Sequence, residues 1–580
     1  MKKQFSYSCY IRRKRSVLFV SLFLILCGYA SLYAQLTQLP CQSQAQYQLH
    51  VNNIDAVVNL GSRLFSPDHF NPAAGPDVTG PSTIYSTGLW LGSLGPDGQY
   101  KLYASDYRHH SQAGPLGSDN TADSITCLNW DQMFTMQGSM VAQFLNDLPG
   151  LGTNISLAIQ QYPKIMGWPG RNNPYFLQIK GFDLPADKTL APFFDENSDG
   201  VYDPLQGDYP VVALDNGVQF LPTEWVWNIS NTGPLTSLDS NSTYVGVLAE
   251  IQSTAWAFHC EDQTVLNRTV FTSQQVTYLG QEPLDSFYMA LWCDFDLGCS
   301  LDDYTGCTPD RNAFFAYNRD ASDGEPSVDC APVFANTPPV QMVVLLNKSL
   351  DKFITYNRGG PSGQGTYSYN SDPNSSSDFY NYISGSWLDG SPITFGDNGY
   401  HENGGTPTNF AFPGDPSDPN GWSMVSANIP FADRRALGSH YVGKLLPGQV
   451  ETITAAWTAN FDGTFPNILG PSYTDMATLQ TIYDQGFSNA CAVSGIVQAP
   501  ADAVWNIAPN PAKDFITVRY NDLTVQEIRL FDATGRLAGQ WSNVPDESMT
   551  ISTGHLPEGI YLVQIRTKSG YLTRKVVLGL

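Results

Sequence analysis

The chain has 580 residues, enough for several domains and a large core. It carries 54 acidic against 30 basic residues, a net charge of −24. Such a surface repels nucleic acid and anionic membrane, so neither is expected as a partner. It suits bound divalent cations, and it also serves solubility alone. Charged residues are only 14 %, while Gly and Pro number 50 and 39. That is a loop-rich β composition rather than a helical or disordered one.

At the N-terminus, Lys2, Lys3, Arg12, Arg13, Lys14 and Arg15 precede an apolar run from Val17 to about Ala30. A basic region followed by a short apolar run is the form of a secretory signal peptide, expected over residues 1–34. The run is short of the ~20 residues that cross a bilayer. No other stretch is long enough, so no transmembrane anchor is expected in the mature chain.

A body follows over 35–493. Runs rich in Val, Ile, Thr and aromatic residues, bounded by turn residues, predict strands at 245–258, 268–279, 284–297, 312–318, 341–347 and 451–459. Helical spacing of apolar residues predicts helices at 129–148 and 473–487. The stretch 359–421 is crowded with Gly, Ser, Asn, Asp and Pro and reads as long loops. The expected body is mainly β, sandwich-like, with long loops and few helices. A linker is expected at 494–506.

Two acidic segments carry candidate chemistry. In the first, Asp195, Asn197, Asp199 and Asp203 fall at places 1, 3, 5 and 9, with Gly200 at place 6. Calcium takes six to eight oxygen ligands, and a short loop wraps one ion with alternate side chains plus the place-7 carbonyl, here Val201. Gln206 stands at place 12 and Pro204 blocks a following helix, so this is not an EF-hand. The loop resembles those of thrombospondin type 3 and dockerin-type segments, which implies calcium. A plain Asx-rich turn is the competing reading.

In the second, Asp294 and Asp296 stand two apart on a predicted strand and so share a face. Two adjacent carboxylates repel unless a cation or proton lies between them. Asp302 and Asp303 could return from the next loop to complete a metal site. An exposed acidic strand end is the alternative.

Removal of the leader leaves an even set of cysteines, four of them between Cys293 and Cys330. Export is oxidising, so disulfides are the default. Cys299–Cys307 is the expected pair, with Cys293–Cys330 as the second. The spacing lacks a C-x2-C pair or a neighbouring His, which argues against zinc. There is no His-Glu-x-x-His, Gly-x-Ser-x-Gly or phosphate loop. Glu224 could serve as a glycosidase acid, and His109-His110 read as surface polar residues.

The tail, 507–580, alternates apolar and polar residues at 516–520 and, except for Leu562, at 561–566. Asn510-Pro511 and Thr534-Gly535 are turn signals. Several short strands of this kind suit a small Ig-like β-sandwich. Ala508-Pro509-Asn510-Pro511, Asp532-Ala533-Thr534-Gly535-Arg536, Leu556-Pro557-Glu558-Gly559-Ile560-Tyr561 and the closing Arg574-Lys575-Val576-Val577-Leu578 together resemble the type A C-terminal sorting domain of the type IX secretion system of Bacteroidota. The resemblance implies export through that machinery, by way of the periplasm, to the medium or the outer cell surface.

Leu190-Ala191-Pro192-Phe193-Phe194-Asp195, Gly207-Asp208-Tyr209-Pro210, Asp294-Phe295-Asp296-Leu297-Gly298 and Asp433-Arg434-Arg435 resemble a large group of Bacteroidota proteins with the same tail. That likeness spans roughly Asn52 to Phe487 and implies no reaction. The expected function is a non-catalytic structural or adhesive protein stabilised by calcium, with surface glycan or lipopolysaccharide as further partner classes. The rival is a secreted hydrolase acting on polysaccharide.

Overall fold

The computed structural model describes residues 43–579 except 52, 73–80, 107–110, 234–244, 261–264, 325–329, 331–332, 359–366, 489, 491–504, 521–524, 533–536, 543, 546, 558 and 568–569. The signal-peptide assignment, most of the 494–506 linker, and His109-His110 lie outside the described residues.

The main strands of the body are β1 (Ile84–Leu94), β2 (Tyr100–Ala104), β3 (Glu224–Asn231), β4 (Ala249–Ala257), β5 (Thr269–Tyr278), β6 (Leu284–Phe295), β7 (Asp303–Thr308), β8 (Ala313–Asn318), β9 (Val340–Leu345), β10 (Lys352–Asn357), β11 (Arg434–Leu445) and β12 (Val450–Asn460). They form two large sheets. The nine-stranded one runs β7-β8-β9-β12-β5-β4-β3, and both Gln112–Ala113 and Phe134–Gln137 pair with β3. The seven-stranded one runs β2-β1-β6-β11-β10, with Val245–Gly246 beside β2 and Arg63–Leu64 against β1. Hairpin and meander pairing is antiparallel throughout the main strands. The chain is mainly β, as its composition indicates.

One buried apolar cluster spans both sheets. Phe314 of β8 meets Phe295 of β6 and Phe353 of β10, with ring centroids 6.2 and 5.7 Å apart. Thr305 of β7 hydrogen-bonds Thr355 of β10 at 2.9 Å. Central strands are buried on both faces, which is why β9, Val340–Leu345, reads as a continuous apolar run rather than an alternation. Truncating a ring such as Phe314 to alanine would cost ~3–5 kcal/mol.

The apolar spacing at 129–148 does not form one helix. Ser124–Trp130 is helical, Phe134–Gln137 is a strand on β3, and α1 (Gly138–Leu151) follows. The open flank of β3 takes four residues into sheet pairing, and tertiary hydrogen bonds outweigh local propensity there. The loop-rich stretch contains α2 (Ser376–Ile383), started by a capping box of Ser375 and Asp378. The helix expected near 473–487 is α3, Leu469–Asp484.

The same stretch covers the outer edge of β10. Phe353 N–H donates to Asn409 O at 2.9 Å, Ala411 N–H to Phe353 O at 3.0 Å, and Asn357 N–H to Asn370 O at 2.8 Å.

The tail builds two small sheets around its own core of Trp505, Ile516, Val518, Ile528, Leu530, Val563 and Ile565. Leu562 breaks the sequence alternation because it faces outward, 39 % exposed, between buried Tyr561 and Val563.

Candidate functional site

The first acidic loop is closed at its base by a two-residue ladder, Phe193–Phe194 against Tyr209–Pro210. Ser198 and Gly200 take positive φ, 59° and 74°, and these turn the chain back on itself. Asp195 then accepts hydrogen bonds from Gly200 N–H at 2.8 Å and Asp199 N–H at 3.3 Å. Asn197 Oδ1 accepts from Asp199 N–H at 3.1 Å, and Asp199 from Val201 N–H at 2.8 Å. Asp203 accepts from Leu205 N–H at 3.0 Å and from the Tyr175 hydroxyl at 3.1 Å.

The residue that sequence reasoning missed here is Asp208. It is fully buried under the loop and accepts Glu196 N–H at 2.9 Å and Asp203 N–H at 2.7 Å. Burial pushes its carboxyl up to about 6. The two N–H donors oppose the rise, and the charges of Asp195 and Asp199 add to it. Its only signal was its place after Gly207 in the group resemblance.

The second acidic set lies at the end of β6. Register puts Asp294 opposite Arg435 of β11 and opposite Ser86 of β1. The third carboxylate comes from Asp433, just before β11. Asp294, Asp296 and Asp433 each bring an oxygen within 4.8 Å of the others. Arg435 donates Nη2 to Asp294 Oδ2 at 3.1 Å and Nη1 to Asp433 Oδ1. Burial raises the carboxyls of both Asp294 and Asp296, each with Asp433 adding and Arg435 opposing.

Asp302 and Asp303 do not join that group of three, though the charge of Asp296 acts on Asp303. Asp303 accepts Leu297 N–H at 2.8 Å, and Asp302 accepts Gly324 N–H at 2.9 Å. Both are buried, 3 % and 1 % exposed. Burial lifts Asp302 to about 7 and Asp303 well above its ordinary range. Beside them Asp323 accepts three N–H groups, from Cys299 at 3.0 Å and from Val333 and Phe334 at 2.6 Å each.

The cysteine expectation requires correction. Cys299 bonds Cys330, with Cα atoms 5.6 Å apart. Cys307 and Cys293 are free and buried. Cys307 lies inside β7 opposite Phe314 and points at Ala411 O, 3.6 Å away. Strand direction therefore carries its thiol away from Cys299. Burial pushes both free thiols far above their usual range, so they are unreactive packing groups. Cys127 and Cys260 also stand in disulfides. Glu224, at the start of β3, is buried and accepts the Tyr47 hydroxyl at 2.7 Å and Gln137 Nε2 at 3.1 Å.

A cavity of about 310 Å³ sits between Arg171, Ala191, Gln219, Trp227 and Gln252, with Asp215 as its one carboxylate among the described residues. A second, about 380 Å³, is bounded by Tyr304, Arg319, Ile429 and Phe431.

Residues 506–579 match the model of the secretion system C-terminal sorting domain. The chain thus ends in a type IX sorting domain, which marks it for export and for secretion or attachment at the cell surface. Among the described residues no helix is long and apolar enough to cross a membrane. No curated protein matches the chain. Among solved structures, a polysaccharide lyase is 8 % identical with a TM-score of 0.19, covering 67 % of this chain and 39 % of its own. The CBM51-2 and INT domains of Clostridium perfringens ZmpB are 7 % identical with a TM-score of 0.10, covering 66 % and 97 %. At these scores neither likeness carries an argument about fold or activity.

Proposed function

We propose that the body is a non-catalytic structural or adhesive protein, exported by the type IX route and stabilised by calcium held in the 195–208 loop. The observation that carries the reading is that loop. Asp195, Asn197, Asp199 and Asp203 keep their alternate spacing around one turn, with the Val201 carbonyl at place 7. Asp208 fixes the loop from beneath through the Glu196 and Asp203 N–H groups. The non-catalytic part is supported by where the buried acids are spent. Glu224 and Asp323 hold side-chain or backbone donors, Asp302 and Asp303 each hold one backbone N–H through a single oxygen, and among the described residues the cavity lined by Asp215 brings no second carboxylate to it. A surface glycan is the partner class that suits the adhesive form.

Calcium at a hundredfold excess over its dissociation constant would add ~2.7 kcal/mol to the native state. Chelation should therefore lower the melting temperature of the secreted protein. The double change Asp195→Ala, Asp199→Ala should abolish that response, and an unchanged melting curve after chelation would overturn the calcium reading. Depolymerisation of a polysaccharide by the purified protein would overturn the non-catalytic one. The export part is tested by removing residues 507–580, which should leave the chain in the periplasm.

A further inference from the structure

The pairing of β6 with β11 sets Cys293 against Ala436 and Asp294 against Arg435. Asp296 follows Asp294 by two residues, and Asp433 precedes Arg435 by two. Asp294 and Arg435, as cross-strand partners, share a face, and Asp296 and Asp433 lie just beyond the ends of the two strands beside them. Three carboxylates converge there, with ligand oxygens no more than 4.8 Å from one another.

Oxygens within that limit can share one divalent cation, and calcium's bond lengths accommodate them. Calcium–oxygen bonds of 2.3–2.6 Å place oxygens on opposite sides of the ion ~4.6–5.2 Å apart.

Charge points the same way. Arg435, its side chain 5 % exposed, neutralises one of the three carboxylates by reaching both Asp294 and Asp433. Arg358 lies 3.6 Å from Asp433, but its side chain is 63 % exposed and screened by solvent. With all three ionised the cluster would hold about two negative charges in excess, which burial resists by raising the carboxyls of Asp294 and Asp296 unless a cation is bound.

The independent sign of a ligand is Asp294 itself. It is 2 % exposed, and its Oδ1 has no hydrogen-bond partner among the described residues, as is also true of Asp302 Oδ1 and Asp303 Oδ1. Buried carboxylate oxygens are ordinarily satisfied, so an unpaired one beside two further carboxylates marks a missing partner.

We infer that Asp294, Asp296 and Asp433 bind a second calcium ion, with Arg435 as the fixed countercharge that sets the site's net charge to match a divalent cation. This rests on the reading of the body as calcium-stabilised and adds a site separate from the 195–208 loop. The ion would tie the end of β6 to the entry of β11. It would thereby order the segment that bounds the 380 Å³ cavity at Ile429 and Phe431.

The test is calcium stoichiometry by isothermal titration on the secreted chain after chelation and dialysis. The wild type should take up two ions. Asp433→Asn should lose one, and Asp195→Ala, Asp199→Ala should lose the other. If the loop variant binds nothing while Asp433→Asn binds as wild type does, the second site is refuted and the loop reading stands. If Asp433→Asn binds nothing and the loop variant binds as wild type does, the second site stands and the loop reading falls. A wild type that binds no calcium refutes both, and a shared proton then holds the carboxylates together.

Should Asp433→Asn fail to fold, terbium luminescence on the wild type and on Asp296→Asn replaces it. Trp292 is two residues from Asp294 on the same face and would sensitise a bound terbium ion. Emission under indole excitation should fall in Asp296→Asn, and equal emission from both would refute the site.

Discussion

Removing the Cys299–Cys330 bridge should act mainly on the unfolded chain. The bond spans 31 residues of sequence, and a crosslink closing a loop of that length lowers unfolded-state entropy by an amount worth ~3.7 kcal/mol at 25 °C. In the native state the same two segments are held without it. Asp323 binds Cys299 N–H on one side and Val333 and Phe334 N–H on the other, so the loops should stay docked when the sulfurs are gone. The variant is Cys299→Ala, Cys330→Ala, and the free thiols among the described residues, Cys293 and Cys307, are buried and so poorly placed for exchange. Urea unfolding of the secreted protein should show a loss of ~3–4 kcal/mol. The slope with urea should rise, because the released chain exposes more surface when unfolded. A loss below ~1 kcal/mol with an unchanged slope would refute the reasoning. It would mean the 299–330 segment is already constrained in the unfolded state.

Asp302 and Asp208 have folded-state values of about 7 and about 6, above their ordinary 3.8. The folded chain thus holds protons that the unfolded chain releases, and the stability this contributes is present at low pH and lost as pH rises through those values. In chelator, the melting temperature should fall between about pH 4 and pH 7, and a rising curve would contradict the assignment. Gly88→Ala would place a Cβ 2.0 Å from the Ser105 carbonyl oxygen, a backbone atom that cannot swing aside. A loss of at least ~1–3 kcal/mol in urea unfolding is expected. Gly150→Ala, in α1 with open space around it, should instead be neutral or stabilise by up to ~1 kcal/mol.

Strands rich in Val, Thr and aromatic residues were legible from composition. β1, β2, β3, β7, β10 and β11 were not, and in β3 and β11 polar residues hide the pattern. β3 buries Asn228 and Asn231, which bind Gly61 N–H and Gly114 O. β11 opens on Arg434 and Arg435, both buried by partners that come from β7 and β6. No local window holds those partners. The same limit governs the sites. The spacing from Asp195 to Asp203 lies within one turn and can be read directly. Asp433 meets Asp294 only through sheet register, so sequence order favoured Asp302 and Asp303, which sit nearer along the chain. The cysteine pairing failed for a related reason, since short separation between Cys299 and Cys307 counts for less than the direction in which β7 aims its side chain.

The loop-rich stretch that covers β10 has a bearing on how copies of this protein meet one another. Lys352–Asn357 is a short β-prone strand with buried Phe353, Ile354 and Tyr356 at the margin of a wide sheet. Left bare, its unpaired amides and carbonyls would accept a strand from another molecule, and growth could continue from there. The irregular backbone of Asn370 and Asn409 to Ala411 takes up the edge groups of Phe353 and the amide of Asn357. The stretch therefore acts as a stopper. It ends the sheet within one molecule and takes up edge groups that another copy's strand would otherwise pair with.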